Sequence, residues 1–265
     1  MAIALMTDFG LRDSYVGVMK GVIAKIAPQV PVIDLSHDLP PQDIWAGRFC
    51  LLSAAPYFPL GTIFVGVVDP GVGTDRQAIA IGFEGGYFVG PNNGLGSGLF
   101  DKYPILAAVQ LDNPYYWRSP LGAEISTTFH GRDIFAPVAA HLALGVPLAR
   151  LGSPLEPGEI LRLEIPPCHH TPTSCTGTIQ HIDHFGNLIT TIPNHICPRG
   201  QGCVELTDQI IPLVRTYGDV PLGSPCVLRG SHGYLEISIN QGNAQTFFRV
   251  KRQAIATYHF PATTQ

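Results

Sequence analysis

The sequence TIFVGVVDPGVGTDR (residues 62–76) joins an apolar, β-branched run to a loop that contains one proline and two glycines. The run predicts a buried strand, and the proline and glycines predict a loop whose backbone can come close to a ligand. Asp69 and Arg76 lie in this loop, so a carboxylate and a guanidinium can face one cleft. An ordinary turn with a surface ion pair is the alternative interpretation of the loop taken alone.

The elements around this stretch alternate in the way that predicts a parallel sheet. We expect strands at residues 3–6, 30–35 and 62–68, a helix that follows the candidate caps Asp13 and Ser14 and ends before Pro28, and a second helix at residues 42–55. A β-α-β-α-β order favours parallel strands with right-handed crossovers. The sequence therefore predicts an α/β fold with a mostly parallel sheet.

Several acidic residues follow the ends of these strands. Asp8 follows the first strand, the Ser36-His37-Asp38 cluster follows the second, and Asp69 follows the third. Ligands of parallel α/β sheets bind beyond the carboxyl ends of the strands. We therefore expect a ligand-binding cleft at this edge of the sheet.

The second part of the chain has a different pattern. Before the pattern changes, four further elements complete a first domain at residues 1–152. They are strands at residues 78–83, 87–89 and 105–111 and a helix at residues 134–144. Residues 153–170 are predicted to be a linker, because they begin with a stretch rich in Pro and Gly. Residues 171–265 contain short β-type runs, the last of them at residues 246–250, which are typical of a small all-β barrel domain.

Composition restricts the class of function. The 265 residues are 45% hydrophobic and 14% charged, and the formal net charge is -4. A chain of this kind buries a large core, and without a Lys/Arg run it is not expected to bind nucleic acid or an anionic membrane. The first residues do not resemble a leader, and the six cysteines form no C-x-x-C pair, so we expect a cytoplasmic protein with free thiols and small-molecule ligands.

Two motifs of the first domain are candidates for ligand contacts. The motif TDFG (residues 7–10) places Asp8 where its carboxylate can chelate two vicinal hydroxyls such as those of a ribose, although a helix-capping role is the alternative. The motif TFHGRD (residues 128–133) precedes a helix, so Phe129 and His130 can line the same cleft. A purely structural histidine is the alternative interpretation there.

Three loops of the second domain can be interpreted either as ligand contacts or as ordinary turns. The motif IDHFGN (residues 182–187) offers an aromatic face and an amide, which suit stacking on a purine and reading its edge. Ordinary turn chemistry explains the same residues nearly as well. The motifs GSHGYLE (residues 230–236) and NQGNA (residues 240–244) have the same ambiguity.

Taken together and in order, these motifs resemble one family over almost the whole chain. The set TDFG, SHDLP, VDPGVGxxR, GPNNG, FHGRD, IDxFGN, SxGYLE and NQGNA is similar to that of the S-adenosylmethionine hydroxide adenosyltransferases. These enzymes are also known as adenosine-forming S-adenosylmethionine hydrolases, and they are related to the fluorinating and chlorinating enzymes that use the same substrate. The resemblance implies an N-terminal α/β domain, a C-terminal β-barrel, and a homotrimer with active sites between neighbouring subunits.

The resemblance also implies roles for particular residues. The catalytic positions of the family correspond to Asp69, Arg76 and His130, and its ribose-binding residue corresponds to Asp8. The remaining candidates are Phe185 and Asn187 for adenine, Asp183 and Ser231 for methionine, and Phe129, Asn243 and Ala244 as further substrate contacts.

Departures from the halogenating relatives indicate the nucleophile. This chain has Asp69 where those enzymes carry a Tyr or a similar residue, and Gly131 where the fluorinating enzyme has a halide-contacting Ser. The inserted loop of the fluorinating enzyme is also absent after Arg76. We therefore expect water or hydroxide to attack C5′ of S-adenosyl-L-methionine, with no metal or redox cofactor, and keep a halogenase and a non-catalytic adenosine-binding protein as alternatives.

Overall fold

The computed structural model describes residues 1–118, 124–197 and 201–261. Its N-terminal part alternates strands and helices as the sequence predicts. The elements are β1 (Ile3–Thr7), α1 (Tyr15–Ile26), β2 (Val32–Ser36), α2 (Ile44–Ala54), β3 (Thr62–Val67), β4 (Ala78–Phe83), β5 (Gly86–Pro91), α3 (Ser97–Lys102), β6 (Ile105–Gln110) and, after a π-helical turn at Gly131–Phe135, α4 (Ala136–Ala143).

The N-terminal sheet has the strand order β2-β1-β3-β5-β4-β6. Strands β2, β1, β3 and β5 are parallel to one another, and β4 runs antiparallel to both β5 and β6. The predicted α/β fold with a mostly parallel sheet is therefore confirmed.

Alternate residues of each central strand enter two different cores. Ile3 and Leu5 of β1 pack in the cluster that includes α1 and α4, whereas Ala4 and Met6 pack in the cluster that includes Leu51 of α2. Successive side chains of a strand point to opposite faces of the sheet, so helices cover both faces. This burial fixes the strand ends that carry the candidate site.

The predicted start of α1 is only partly correct. Ser14 occupies the N-cap position, but its side chain makes no capping hydrogen bond. The helix is held instead by its buried face, to which Val16, Met19 and Ile23 belong. Helix α2 does have a side-chain cap, because the Asp43 carboxylate accepts a hydrogen bond from the Ala46 amide at 3.0 Å.

The C-terminal part is an antiparallel sheet that nearly closes into a barrel. Its elements are β7 (His169–His170), β8 (Ser174–Ile182), β9 (Leu188–Pro193), β10 (Cys203–Leu206), β11 (Gln209–Pro212), β12 (Pro225–Arg229), β13 (Tyr234–Ile239), α5 (Ala244–Phe248) and β14 (Ile255–His259). The strand order is β11-β10-β14-β8-β9-β13-β12, and Leu213 bridges Val227 so that the two edges approach each other. The predicted small β domain is confirmed.

One predicted strand is a helix. The β-branched and aromatic residues at 246–250 predict a strand, but α5 occupies Ala244–Phe248. The Asn243 side chain caps this helix by accepting a hydrogen bond from the Thr246 amide at 2.8 Å, and Ala244 and Phe248 are buried on one face. Capping and burial therefore outweigh the strand propensity of this segment.

The chain divides into two compact units, Met1–Leu163 and Glu164–Gln265. The sequence predicts a linker at residues 153–170, whereas the first unit extends to Leu163. Residues after 152 extend the first unit because the Ser153 carbonyl accepts from the Gln110 amide at 2.9 Å and the Leu155 amide donates to the Ala108 carbonyl at 3.0 Å. These contacts lie along β6.

Candidate active site

Parallel pairing brings two acidic residues to one edge of the N-terminal sheet. Thr7 at the end of β1 lies opposite Val67 at the end of β3. Asp8 and Asp69 follow these ends, and the Asp8 amide donates to the Val67 carbonyl at 3.4 Å. The predicted cleft position of both carboxylates therefore follows from the register of two buried strands.

The loop after β3 is shaped by a close approach to a second loop. Gly73 has φ +77°, and a Cβ atom at this position would lie 2.2 Å from the Thr127 carbonyl oxygen. Glycine is therefore needed both for the left-handed backbone and for the contact. This approach brings the loop that carries Asp69 and Arg76 against the segment that leads to His130.

Asp69, Arg76 and His130 form one hydrogen-bonded cluster. Arg76 Nε donates to Asp69 Oδ1 at 3.1 Å and Nη2 donates to Asp69 Oδ2 at 2.5 Å. The same Nη2 lies 3.0 Å from His130 Nδ1. The side chains of Arg76 and Asp69 are only 8% and 5% exposed, so this is a desolvated pair and not the surface ion pair of the alternative interpretation.

The cluster sets the protonation of its members. A guanidinium has no acceptor, so His130 Nδ1 accepts from Arg76, and the proton of the neutral ring lies on Nε2. Burial lowers the pKa of His130 below its ordinary value, and the charge of Arg76 lowers this pKa further. Burial raises the pKa of Asp69, and Arg76 opposes that rise.

A cavity of about 350 Å³ lies beside this cluster. Among the sequence-predicted residues, Asp8, Asp69, Phe129 and His130 line it. Arg76 contacts Asp69 and His130 from outside the lining. The structure thus brings together all five predicted site residues of the N-terminal unit.

The sequence interpretation missed part of this lining, including Phe9, Gln42 and Thr128. Gln42 has a left-handed backbone, with φ 65°, and its amide donates to Asp8 Oδ2 at 2.7 Å. This conformation is strained for a residue with a side chain, and such strain is commonly found at functional sites. The Pro40-Pro41 pair before Gln42 was the available sign that this segment adopts a special turn.

In the second unit, the loop after β8 is organised by Asp183. Its Oδ1 atom accepts from the amides of Phe185 and Asn187 at 2.9 and 2.8 Å, and its Oδ2 atom accepts from Asn187 Nδ2 at 2.9 Å. Asp183 therefore has the turn role that the sequence left open. The turn leaves Phe185 71% exposed, which is unusual for a large aromatic side chain.

The other candidates of the second unit lie in two places. Asn243 packs against the loop of Asp183, because a Cβ atom on Gly186 would lie 2.2 Å from the Asn243 side-chain nitrogen, and Ala244 follows as a buried residue. Ser231 is exposed in the turn between β12 and β13. The structure therefore groups Asp183, Phe185, Asn187, Asn243 and Ala244 around one loop and places Ser231 on another.

Gly131 lies next to His130 at the start of the π-helical turn. A Cβ atom on Gly131 would lie 3.1 Å from Met19 Sδ and 3.4 Å from a ring carbon of Phe129. A serine at this position would therefore require the Met19 side chain to shift by a few tenths of an ångström. The cavity wall has no hydroxyl at this position.

Within the three described ranges, no group of three or more His, Cys, Asp or Glu side chains is placed to hold a metal ion. Among the helices of the same ranges, none is both long enough and apolar enough to cross a membrane.

Comparisons with known proteins place this architecture in a family. Residues 3–152 match the N-terminal domain model of SAM hydroxide adenosyltransferases, and residues 177–256 match the C-terminal domain model. Proteins named (R)-S-adenosyl-L-methionine hydrolase from Thermus thermophilus and Salinispora tropica are 42% and 41% identical to this chain. The first alignment covers 93% of this chain and 94% of the relative, and the second covers 91% of each.

One more distant relative is a fluorinase, and one solved structure superposes on this chain. A fluorinase from Actinoplanes sp. is 30% identical, with 90% of each chain covered. A crystal structure of an uncharacterized conserved protein from Thermotoga maritima superposes with a TM-score of 0.89 at 34% identity, covering 97% of this chain and 99% of that one. This chain belongs to the SAM hydroxide adenosyltransferase family.

Proposed function

We propose that this protein hydrolyses S-adenosyl-L-methionine to adenosine and L-methionine. The observation that carries the proposal is the buried Asp69–Arg76–His130 cluster beside a cavity that Asp8 also lines. The names of the relatives support the same activity, because those at 40–42% identity are hydrolases and the fluorinase is more distant.

The reaction is a displacement at C5′ of the ribose. The oxygen of water forms a bond to C5′ while the C5′–S bond breaks, and the bonding electrons pass to the sulfonium sulfur. Methionine leaves as a neutral thioether, so the leaving group needs no general acid. What the protein must supply is an aligned oxygen nucleophile and an acceptor for its proton.

The tautomer of His130 favours Asp69 as that acceptor. With Nδ1 engaged by Arg76, His130 offers an Nε2–H donor, which can orient the nucleophile but cannot take a proton while the ring keeps this contact. A carboxylate whose pKa is raised by burial is a better base than a solvated one. Arg76 fixes both partners, because it donates hydrogen bonds to Asp69 and to His130.

We assign the substrate contacts by the chemistry of the side chains. Asp8 binds the ribose hydroxyls through its carboxylate, and Phe129 supplies apolar surface in the cavity. In the second unit Phe185 stacks on adenine, as its exposed ring suggests. The remaining assignments are Asn187 for adenine, Asp183 and Ser231 for methionine, and Asn243 and Ala244 as further substrate contacts.

The proposed assembly is a homotrimer, and the proposed location is the cytoplasm. The cavity is lined by residues of the first unit alone, whereas the proposed adenine contacts belong to the second unit. A homotrimer in which one subunit provides the first half of the site and its neighbour provides the second half would explain this division. All six cysteines are free thiols, which agrees with a reducing compartment such as the cytoplasm.

No cofactor is required by this chemistry, because the sulfonium already activates C5′ for displacement. Turnover should therefore persist after treatment with a metal chelator and dialysis. Loss of turnover that is restored by a specific metal ion would overturn this part of the proposal.

Product analysis tests the proposed function against its alternatives. The protein is incubated with S-adenosyl-L-methionine and chloride, and the products are separated by liquid chromatography. Adenosine together with methionine is expected. Formation of 5′-chloro-5′-deoxyadenosine would identify a halogenase instead, and adenosine binding without turnover would identify a binding protein.

A further inference from the structure

A line of polar side chains runs from helix α1 to the end of β1, directly before Asp8. Lys20 Nζ donates to Asp34 Oδ2 at 2.6 Å, and Asp34 Oδ1 lies 3.0 Å from His37 Nε2, an ion-pair contact that does not have the geometry of a hydrogen bond. On the other side of the ring, His37 Nδ1 lies 2.9 Å from Thr7 Oγ1. These side chains do not line the cavity, yet Thr7 and His37 are almost completely buried.

One arrangement of protons satisfies the contact between His37 and Thr7. If His37 is neutral with its proton on Nε2, its Nδ1 accepts from the Thr7 hydroxyl, and the Nε2 proton lies on the side of the ring that faces Asp34. Thr7 Oγ1 is then free to accept from the Phe9 amide, which lies 3.3 Å away. With a proton on Nδ1, Thr7 Oγ1 would face two donors and its own proton would lose its acceptor. Burial makes such a mismatch costly.

The same residues fix the backbone around Asp8. Thr7 Oγ1 receives the Phe9 amide, and the Gly10 amide donates to the His37 carbonyl at 2.7 Å. Asp8 lies between these two anchors, and the Gln42 amide holds its Oδ2 atom. Within the described chain, Oδ1 of Asp8 accepts no hydrogen bond. His37 therefore contacts the turn of residues 7–10 twice, once through its ring and once through its carbonyl.

We propose that His37, oriented by Asp34, is a positioning residue that acts through Thr7 to hold Asp8 for the ribose hydroxyls. The inference rests on the proposed function, in which Asp8 binds the ribose. A carboxylate that chelates two vicinal hydroxyls must be held within a few tenths of an ångström, and buried neighbours with fixed side chains provide such precision. The ring acts on the turn through Thr7, because the Thr7 hydroxyl contacts both His37 Nδ1 and the Phe9 amide.

The variant Thr7→Val tests this role because it replaces the hydroxyl with a methyl group and leaves Asp8 and Gln42 in place. Thr7→Ser is the matched control that keeps the hydroxyl. Calorimetric titrations are made with adenosine, which has both ribose hydroxyls, and with 2′,3′-dideoxyadenosine, which has neither. Thermal melting of each variant reports whether the fold is retained.

We expect Thr7→Val to weaken adenosine binding about tenfold, the effect of one lost buried hydrogen bond. Thr7→Ser should remain within about twofold of the wild type, and both variants should bind the dideoxynucleoside as the wild type does. A merely structural role of Thr7 would weaken the binding of both ligands equally, which would overturn the proposal.

Asp34→Ala is a second variant at a partly exposed position, so it remains informative if Thr7→Val does not fold. It should weaken adenosine binding selectively, whereas Asp38→Ala, which removes an exposed acid of the same loop, should not. Wild-type protein that does not bind adenosine would overturn the proposed function together with this inference. Wild-type protein that binds adenosine, beside variants that bind it equally well, would overturn the inference alone.

Discussion

His130 Nδ1 accepts a hydrogen bond from Arg76 Nη2 at 3.0 Å. Since the guanidinium can only donate, this contact requires a neutral ring with its proton on Nε2. In the proposed reaction, this hydrogen bond determines which of the two side chains can accept the proton. Asp69 is left as the group that can take a proton, and His130 is left as a donor.

The titration of His130 provides the first test. We expect its pKa to lie below the ordinary value of 6.5, because burial and the charge of Arg76 both favour the neutral ring. Well above pH 6.5 the ring is neutral in folded and unfolded protein, and as the pH falls toward and below 6.5 the unfolded state binds the proton first. Both turnover and the stability contributed by His130 should therefore be complete above that pH and decline in acid.

Nuclear magnetic resonance of protein labelled in its histidine rings measures this pKa and the tautomer directly. Arg76→Gln should raise the pKa of His130 because it removes a positive neighbour. His141 is the matched control, since burial alone lowers its pKa. A His130 ring with its proton on Nδ1 in the wild type would contradict the assignment of roles.

The sequence predicted the framework of the site because that framework follows from local patterns. Asp8 and Asp69 could be placed at one edge because each follows an apolar run that is a buried strand, and parallel strands end at the same edge. The Pro40-Pro41 pair indicates only a turn before Gln42, and the strained backbone of Gln42 itself could not be inferred because it depends on the position of Asp8 in the folded chain. The approach of Gly73 to Thr127 also joins distant segments, so no local pattern reveals it.

The same contrast explains the error at residues 246–250. Their side chains favour a strand, but the cap from Asn243 and the burial of Ala244 and Phe248 depend on packing in the second unit. Tertiary contacts override weak local preference in such short segments. The substrate contacts proposed at Asn243 and Ala244 thus lie at the start of a helix.

Gly73→Ala should destabilise the protein and impair turnover. The new Cβ atom would meet the Thr127 carbonyl at 2.2 Å in a left-handed backbone, so we expect a loss of about 2–4 kcal/mol in the free energy of unfolding. Gly145→Ala is the control, because Gly145 also has positive φ but a Cβ there meets nothing within 4 Å. Its cost should be about 1 kcal/mol. Equal costs in denaturant unfolding would show that the approach to Thr127 is not tight.

Phe185→Ala should weaken adenosine binding by about 1–3 kcal/mol, through loss of stacking and burial. Because the ring is 71% exposed in the free chain, thermal stability should change little. Ile210→Ala removes another exposed apolar side chain of the second unit and should leave adenosine affinity unchanged. Calorimetric titration separates these outcomes, and unaltered affinity in Phe185→Ala would remove this residue from the site.

Subunit mixing tests the proposed division of the site between chains. Asp69→Ala and Asn187→Ala chains should each be inactive. After unfolding and refolding together, about a quarter of the sites in a randomly mixed ring should combine one intact half from each parent. Activity should therefore reappear. A mixture as inactive as its parents, with subunit exchange verified by mass spectrometry, would show that both halves belong to one chain.

The most direct test of the central claim is turnover of S-adenosyl-L-methionine in water enriched in oxygen-18. Attack at C5′ by a water molecule that Asp69 activates should place one heavy oxygen in the 5′-hydroxyl of the adenosine product. Asp69→Asn should reduce the rate by roughly 10²–10⁴-fold while it retains adenosine binding. Adenosine without the heavy oxygen, or turnover unchanged in Asp69→Asn, would contradict the account.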